Sequence, residues 1–514
     1  MVSRQRQQPP SGHGEVLCAP PFRTWPSILE RNRELSGRWP VELKELRSAA
    51  RSESLAAAIE YSAALRVPTS QPRSDELIMT GHQPELYHPG VWVKAFLVQR
   101  YADQTGARAL DLVVDTDIAG RIELRTPCLG EKVHVCKTLL AEGGEDVAYV
   151  QLGVPDDAAR TRLRVQGLAS LRSLRAPALS RHFEAFCMCL DEAAAHTGDL
   201  ASCLTAARRL YERPAETDYL ELAVSAQVRT EAYLRYVASL ILDAERFREA
   251  MNAALHEYRL RTGTRSSAQP VPDLGCADGR IETPFWVLDA ERRRPLTVDR
   301  RGLWAGDQRV ARRGRTIGET VDVLKTEGLT IAPKALALTL FERLFVADLF
   351  VHGTGGARYD QVTDDIVSRY YGIPAPGYAV ASMTMLLPLG ATVAGPQDVA
   401  AVENRLHRFT HNPDQVLAEV EFDTVEERVR AEDLAREKRE LVAAIAYPAA
   451  DRKALGSRIR EVNEDLATLL QPMVIELSES LVRMRAERDA ADVLMDRTYP
   501  YCLWDPREVM DKVG

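Results

Sequence analysis

Residues 76–117 read ELIMT (76–80), GHQPELYHPG (81–90) and VWVKAFLVQRYADQTG (91–106), then, after Ala107 and Arg108, ALDLVVDTD (109–117). ELIMT is a short apolar run of strand character, and GHQPELYHPG is rich in turn formers. The following segment sets Val91, Ala95, Val98 and Tyr101 on one helical face. ALDLVVDTD is a second apolar strand that ends in two acids. Strand, loop, helix and strand within about forty residues is the βαβ unit of an open parallel sheet, so the stretch predicts an α/β fold. Ligands of such sheets sit beyond the carboxyl ends of the strands. GHQPELYHPG and Asp115-Thr116-Asp117 are therefore expected to meet at one cleft.

The same grammar returns at 331–380, where an apolar helix leads to a strand, a glycine loop (VHGTGGARYD, 351–360) and another helix. Working outward gives a flexible tail over 1–20, the first part of the core over 21–154 and a helical insertion over 155–265 with few strand signals. Short runs between Gly, Asp and Arg turns predict a β-hairpin insertion over 266–328, and the core resumes over 329–397. Over 398–496, Leu455, Ile459, Val462, Leu466, Leu469 and Met473 step by four and three, and Leu477, Leu481 and Met484 continue past Pro472. With the preceding helix, which ends before Tyr447-Pro448-Ala449, this predicts an antiparallel coiled-coil hairpin whose apolar stripe is covered by a second copy or by the core. Residues 497–514 are expected to pack back on the core.

The 514 residues are 45% hydrophobic and 27% charged, enough to bury a large core. A net charge of -8 gives no global attraction for nucleic acid, and none is expected as a partner. The first twenty residues contain no apolar run of the kind that crosses or enters a membrane, so a cytoplasmic protein without a membrane partner is expected. Eight cysteines include no C-x-x-C pair, and no disulfide framework is expected. Cys128, His134 and Cys136 are metal-ligand types, but with no fourth ligand nearby they read as ordinary residues of one strand, and no metal site is assigned. His407 and His411 lack the Glu of a zinc-protease helix and read as a surface helix end.

Three loops hold the candidate chemistry. The first concentrates Gly81, His82, Gln83, Tyr87, His88 and Gly90 at a helix start, with Lys94 one turn in. Free N–H groups there hold a phosphate or carboxylate, and His82 and His88 can steady charge on a leaving group. The alternative is a turn whose His and Tyr cap backbone groups. In the second loop, Asp115 and Asp117 share a face if the strand runs through them. They would then hold Mg²⁺, bind an ammonium or deprotonate an amine, and a self-capped turn is the alternative. The third loop offers His352, Gly353, Thr354, Gly355, Arg358, Tyr359 and Asp360, with glycines for close backbone approach and Arg358 for an anion. A tight turn explains any such string equally well.

The loops, their order and the helical hairpin resemble the bacillithiol cysteine-adding enzyme family. Gly81-His82-Gln83, Leu86, Trp92, Lys94 and Ala95 sit at places comparable to that family's first glycine-glutamine stretch. Ala332-Pro333-Lys334 with Leu338-Thr339-Leu340 resembles its S-P-N-x-x-L-R-P segment, Phe350 to Asp360 resembles its double-glycine loop, and Tyr499-Pro500 with Arg507 resembles its close. Gly356, Asp360 and Thr339-Leu340 replace the family's Glu, Trp and Arg-Pro, which implies a different acceptor. The resemblance implies a Rossmann-like core related to class I synthetases and nucleotidyltransferases, and a homodimer formed through the coiled coil. It also implies a ligase that joins an amino acid, cysteine by analogy, to the amine of a small polar acceptor. A carboxylate must be activated before an amine attacks it, so ATP with Mg²⁺ is the candidate cofactor pair, and a ready-activated donor is the alternative. In this scheme His82 and His88 steady charge, Asp115 or Asp117 handles the amine, and the loop from His352 to Asp360 walls the acceptor pocket. A nucleotidyltransferase that stops at adenylation and a non-catalytic dimeric protein on the same fold are the other readings.

Overall fold

The computed structural model describes residues 8–70, 74–130, 132–174, 176–388, 396–422, 424–447 and 451–514. It is a mixed α/β protein in two compact units, the larger being Met1–Cys128, Val135–Leu386 and Arg497–Gly514. No helix among the described residues is long and apolar enough to cross a membrane.

The larger unit is built on a six-stranded sheet in the order Val16–Ala19, Ala379–Met383, Leu349–His352, Leu77–His82, Arg108–Val113, Leu220–Ala223. The last five strands are mutually parallel, and the first pairs antiparallel with its neighbour. Leu77 to Thr80 and Ala379 to Met383 are buried without a break, as expected of parallel strands covered on both faces. The helix Pro89–Thr105 joins two of these strands. It starts with His88 as N-cap and Pro at N1, and stops at Gly106, whose φ of 75° supplies the left-handed C-terminal turn. The parallel register Leu77↔Arg108 to His82↔Val113 brings the GHQPELYHPG loop and the Asp115 turn to the same sheet edge.

Several expectations are corrected. Val16–Ala19, placed in the flexible tail, is an edge strand in register with Val380 to Met383. The helical insertion contains helices Asp157–Ser173, Pro177–Ala194 and Leu200–Tyr211, and it also delivers the edge strand Leu220–Ala223. That strand was hidden because its Glu221, which reads as a surface residue, is buried against Arg208 at 2.8 Å. The hairpin region forms an antiparallel sheet in the order Gln308–Ala311, Leu303–Ala305, Arg293–Val298, Arg280–Leu288, Thr330–Pro333. Its last strand comes from the part assigned to the core, and the region also contains the helix Ile317–Thr326, capped by Thr316. Cys128 and Cys136 lie on separate strands, Arg121–Leu129 and Val133–Glu142, and are joined by a disulfide, against the expectation of unpaired strand residues.

The smaller unit, Leu129–His134 and Leu387–Asp496, carries the helices Pro396–His411, Val425–Ile445, Arg452–Leu469 and Gln471–Leu494. Ala431, Val462 and Leu466 form one apolar cluster, and Phe409, Val416, Leu470 and Leu477 another. The apolar stripe is broken after Leu469, where Pro472 opens the next helix. Pro448 and Ala449 of the expected turn lie outside the described residues.

Candidate functional site

A cavity of about 360 Å³ opens at the carboxyl ends of the Leu77–His82 and Arg108–Val113 strands. Three segments distant in sequence build its polar side. Glu282, Pro284 and Trp286 alternate along the strand Arg280–Leu288 and line the cavity together, as residues two apart on a strand share a face. Arg293 begins the next strand, paired with Leu288. Lys334 follows the strand Thr330–Pro333, and its amide donates to the Pro284 carbonyl at 2.9 Å. From the parallel sheet come Gln83 and Asp117.

These side chains form a chain of paired charges. Gln83 Nε2 donates to Asp117 Oδ2 at 3.0 Å, and Arg293 Nη1 donates to Asp117 Oδ1 at 2.9 Å. The Arg293 guanidinium stands 4.6 Å from the centre of the Trp286 indole and the Lys334 ammonium 4.8 Å from it, both within cation–π range. Lys334 also pairs with Glu282, whose other oxygen accepts from the Gly275 amide at 2.9 Å. Burial pushes the Lys334 ammonium below the ordinary lysine range, with Glu282 pulling the other way. The rest of the wall is mostly apolar, with Val114, Met251, Leu274, Leu336 and Leu338, and also carries Thr116, Thr339 and Asp273, the last paired with Arg259 at 2.8 Å. Two cations and two carboxylates at one end of an apolar pocket suit a small ligand bearing both charges.

Of the residues picked from sequence, Gln83 and Asp117 line this cavity and the others are placed elsewhere. The expectation that Asp115 and Asp117 share a face is corrected: the strand stops at Val113 and both acids sit in the turn beyond it. Asp115 is buried, accepts the Ser225 amide at 2.9 Å and takes the Ser225 hydroxyl as well, and burial pushes its carboxyl up to about 7. His88 accepts the Gly90 amide at 3.0 Å as N-cap of its helix. His82 lies beside Tyr87, their rings 5.2 Å apart, at a void of about 10 Å³ that also touches Arg208. That is room for about one water. Burial, reinforced by the Lys94 charge, pushes His82 down to about 3. Lys94 is buried, donates to the Gly81 carbonyl at 2.7 Å and is pushed down by burial to about 8.

The two glycines of the first loop answer to packing. A Cβ on Gly81 would meet Leu112 atoms at 2.8 and 2.9 Å, and one on Gly90 would meet Arg497 Nη2 at 2.5 Å and the Met383 carbonyl at 2.7 Å. In the third loop His352 and Asp360 are buried against each other, Arg358 and Tyr359 are exposed, and none of Gly353, Thr354 or Gly355 lines the cavity.

Reading the sequence alone misses Glu282, Trp286 and Arg293 because they sit on strands of the insertion, where charged and aromatic residues are ordinary solvent-face composition. Lys334 stands in the segment compared with the S-P-N motif, yet only the fold brings it to the other three. Neither protein-family models nor curated proteins match the chain.

Proposed function

We propose that this cavity is the active site of a ligase that joins an activated amino acid, through an amide bond, to the amine of a small polar acceptor. The core would then be Rossmann-like, as in the bacillithiol cysteine-adding enzymes, with the smaller unit acting as a coiled-coil hairpin in a homodimer. The supporting observation is the meeting of Asp117 and Glu282 with Arg293 and Lys334 around one indole, in a pocket at the strand ends. A zwitterionic amino acid needs a cation for its carboxylate and an acid for its ammonium, and this pocket has both.

In the ligation step the acceptor nitrogen attacks the acyl carbon, a C–N bond forms, the bond to the leaving oxygen breaks, and the nitrogen sheds a proton. Asp117, fixed by Gln83 and Arg293, is placed to hold the ammonium and accept that proton. Lys334, with its affinity for a proton lowered by burial, is suited to donate to the departing oxygen. Arg293 and Lys334 fit a phosphate or carboxylate of an activating nucleotide, and ATP would supply the activation. Among the described residues no cluster of three acid or imidazole ligands converges on the cavity, so Mg²⁺ would have to arrive on nucleotide phosphates.

The experiment is to incubate the full chain with ATP, an amino-acid panel and an amine panel including amino sugars, and to search for amides and AMP by mass spectrometry. An amide whose formation falls roughly a hundredfold in Asp117→Asn and in Lys334→Met supports the assignment. Absence of any amide, together with a melting temperature unmoved by every amino acid and by ATP, rules it out.

A further inference from the structure

The carboxyl end of the Leu349–His352 strand carries a polar site separate from the cavity. His352 is buried, and its Nε2 lies 2.7 Å from Oδ2 of the buried Asp360. Asp360 is also held by Arg343 at 2.8 Å, and Arg343 reaches on to Asp364 at 2.7 Å. The imidazole thus stands in close ion-pair contact, through one nitrogen, with a carboxylate that Arg343 also approaches. Nδ1 has no hydrogen-bond partner among the described residues.

Nδ1 faces Gly356. A Cβ there would stand 3.2 Å from it, so the missing side chain keeps a space open in front of the nitrogen. Gly356 also opens the eleven-residue helix Gly356–Ile366. The Ala357 and Arg358 amides are used by the Gly353 and Gly355 carbonyls, whereas the Gly355 and Gly356 amides have no backbone partner among the described residues. Gly353 and Gly355 have open space where a Cβ would be, and Arg358, in the first helical turn, is exposed with no ion-pair partner among the described residues. The parallel sheet order reverses between this strand and Leu77–His82, because the chain adds Arg108–Val113 and Leu220–Ala223 on one side and Ala379–Met383 on the other. Such a switch point is where open parallel sheets leave a crevice for a ligand.

We infer that the loop Gly353–Gly356, with His352 Nδ1 and Arg358, is an anion cradle that takes a phosphate group, free or as part of a nucleotide polyphosphate. Two free amides, an imidazole and a guanidinium supply donors to several oxygens of one tetrahedral anion. The inference does not depend on amide ligation, because phosphate binding is read on the resting protein.

The test is calorimetric titration of the full chain with pyrophosphate and, separately, with ATP, for wild type, Gly356→Ala and Arg358→Gln. Gly356 does not have a positive φ, so alanine carries no backbone strain there, but its Cβ would press on His352 at 3.2 Å. The melting temperature is measured beside the titration, and Arg358→Gln, an exposed change, carries the test if Gly356→Ala is destabilised. Filling the cradle is expected to weaken pyrophosphate by roughly tenfold or more, and Arg358→Gln by roughly threefold to tenfold with a shallower salt dependence. ATP binding more tightly than pyrophosphate, and weakened by the same factor in Gly356→Ala, makes a nucleotide the source; equal affinities make it free phosphate. Unchanged affinity in both variants, or no binding of either probe by wild type at millimolar concentration, overturns the inference.

Discussion

Two sets of ionisable side chains gather about the same parallel sheet, one within and beside its strands and one at the cavity beyond them, and the fold uses them differently. Lys94, Asp111, Asp115, Arg208 and Glu221 are buried and pair with one another, with Ser225 or with a backbone carbonyl, and Glu221 Oε2 alone of their oxygens is buried without a hydrogen-bond partner among the described residues. Asp117, Glu282, Arg293 and Lys334 are paired too, but their pairs border an open cavity. A ligand can exchange partners with the second set at little cost, whereas the first set could open only by exposing unpaired charge to a low-dielectric interior. Density of reactive residue types along the chain therefore marks a buried polar framework as readily as a site.

The largest effect should come from breaking the framework. Arg208 binds Asp111, Glu212 and Glu221 at 3.1, 3.3 and 2.8 Å and accepts no replacement in kind. Arg208→Met is expected to destabilise the protein by about 3–5 kcal/mol, because Asp111 loses its ion-pair partner and Glu212 and Glu221 are left with Arg209 alone, at 3.4 and 3.5 Å. Arg293→Met at the cavity should cost only about 1 kcal/mol while abolishing any ligand-induced rise in melting temperature. Urea unfolding of both variants checks the contrast, and equal losses would mean the two sets do not differ.

A smaller effect lies in the pH dependence, where two framework groups pull in opposite directions. Asp115 has its carboxyl raised from 3.8 to about 7, so between those values the folded chain holds a proton that the unfolded chain releases. Its stabilisation is fully present below about 3.8 and is lost as pH rises towards 7. His82 is lowered from 6.5 to about 3, so between those values the unfolded chain takes a proton that the folded chain refuses, and stability rises with pH. In wild type the two slopes offset between about pH 4 and 6.5. Glu221, raised by burial from 4.5 to about 8, adds a second falling slope that stays in the variant. Asp115→Asn, which keeps an acceptor for Ser225, should therefore make the net slope more positive by up to about 1.4 kcal/mol per pH unit. Urea midpoints at half-unit intervals would show it, and an unchanged slope would remove Asp115 from the account.

The βαβ unit was legible because its three elements each carry a local signal: an unbroken apolar run at Leu77 to Thr80, a Pro start and Gly stop for the helix, and a second apolar run to Val113. Edge strands were not. Val16–Ala19 has four residues, and Leu220–Ala223 has a charge in it whose partner, Arg208, sits on a helix. Half of the cavity was equally out of reach. Gln83 and Asp117 follow strands that could be read, but Trp286 and Arg293 become meaningful only when the insertion sheet places them beside Lys334. One residue of parity misled as well: Asp115 and Asp117 share a face only on a strand, and the chain turns at Val113.

The smallest effect separates a cap from a catalyst. His88 Nδ1 accepts the Gly90 amide, one of the donors that a helix start leaves unmet, and Pro89 occupies the position whose missing N–H costs nothing. His88→Ala should therefore lower stability by about 1 kcal/mol, and His88→Asn, a good N-cap, should restore most of that. A catalytic histidine would behave otherwise: asparagine cannot replace an imidazole in proton transfer, so ligand turnover would fall in both variants while stability recovered in one. Measuring unfolding and turnover on the same two proteins separates the roles, since a cap moves stability alone and is rescued, whereas a catalyst moves turnover and is not.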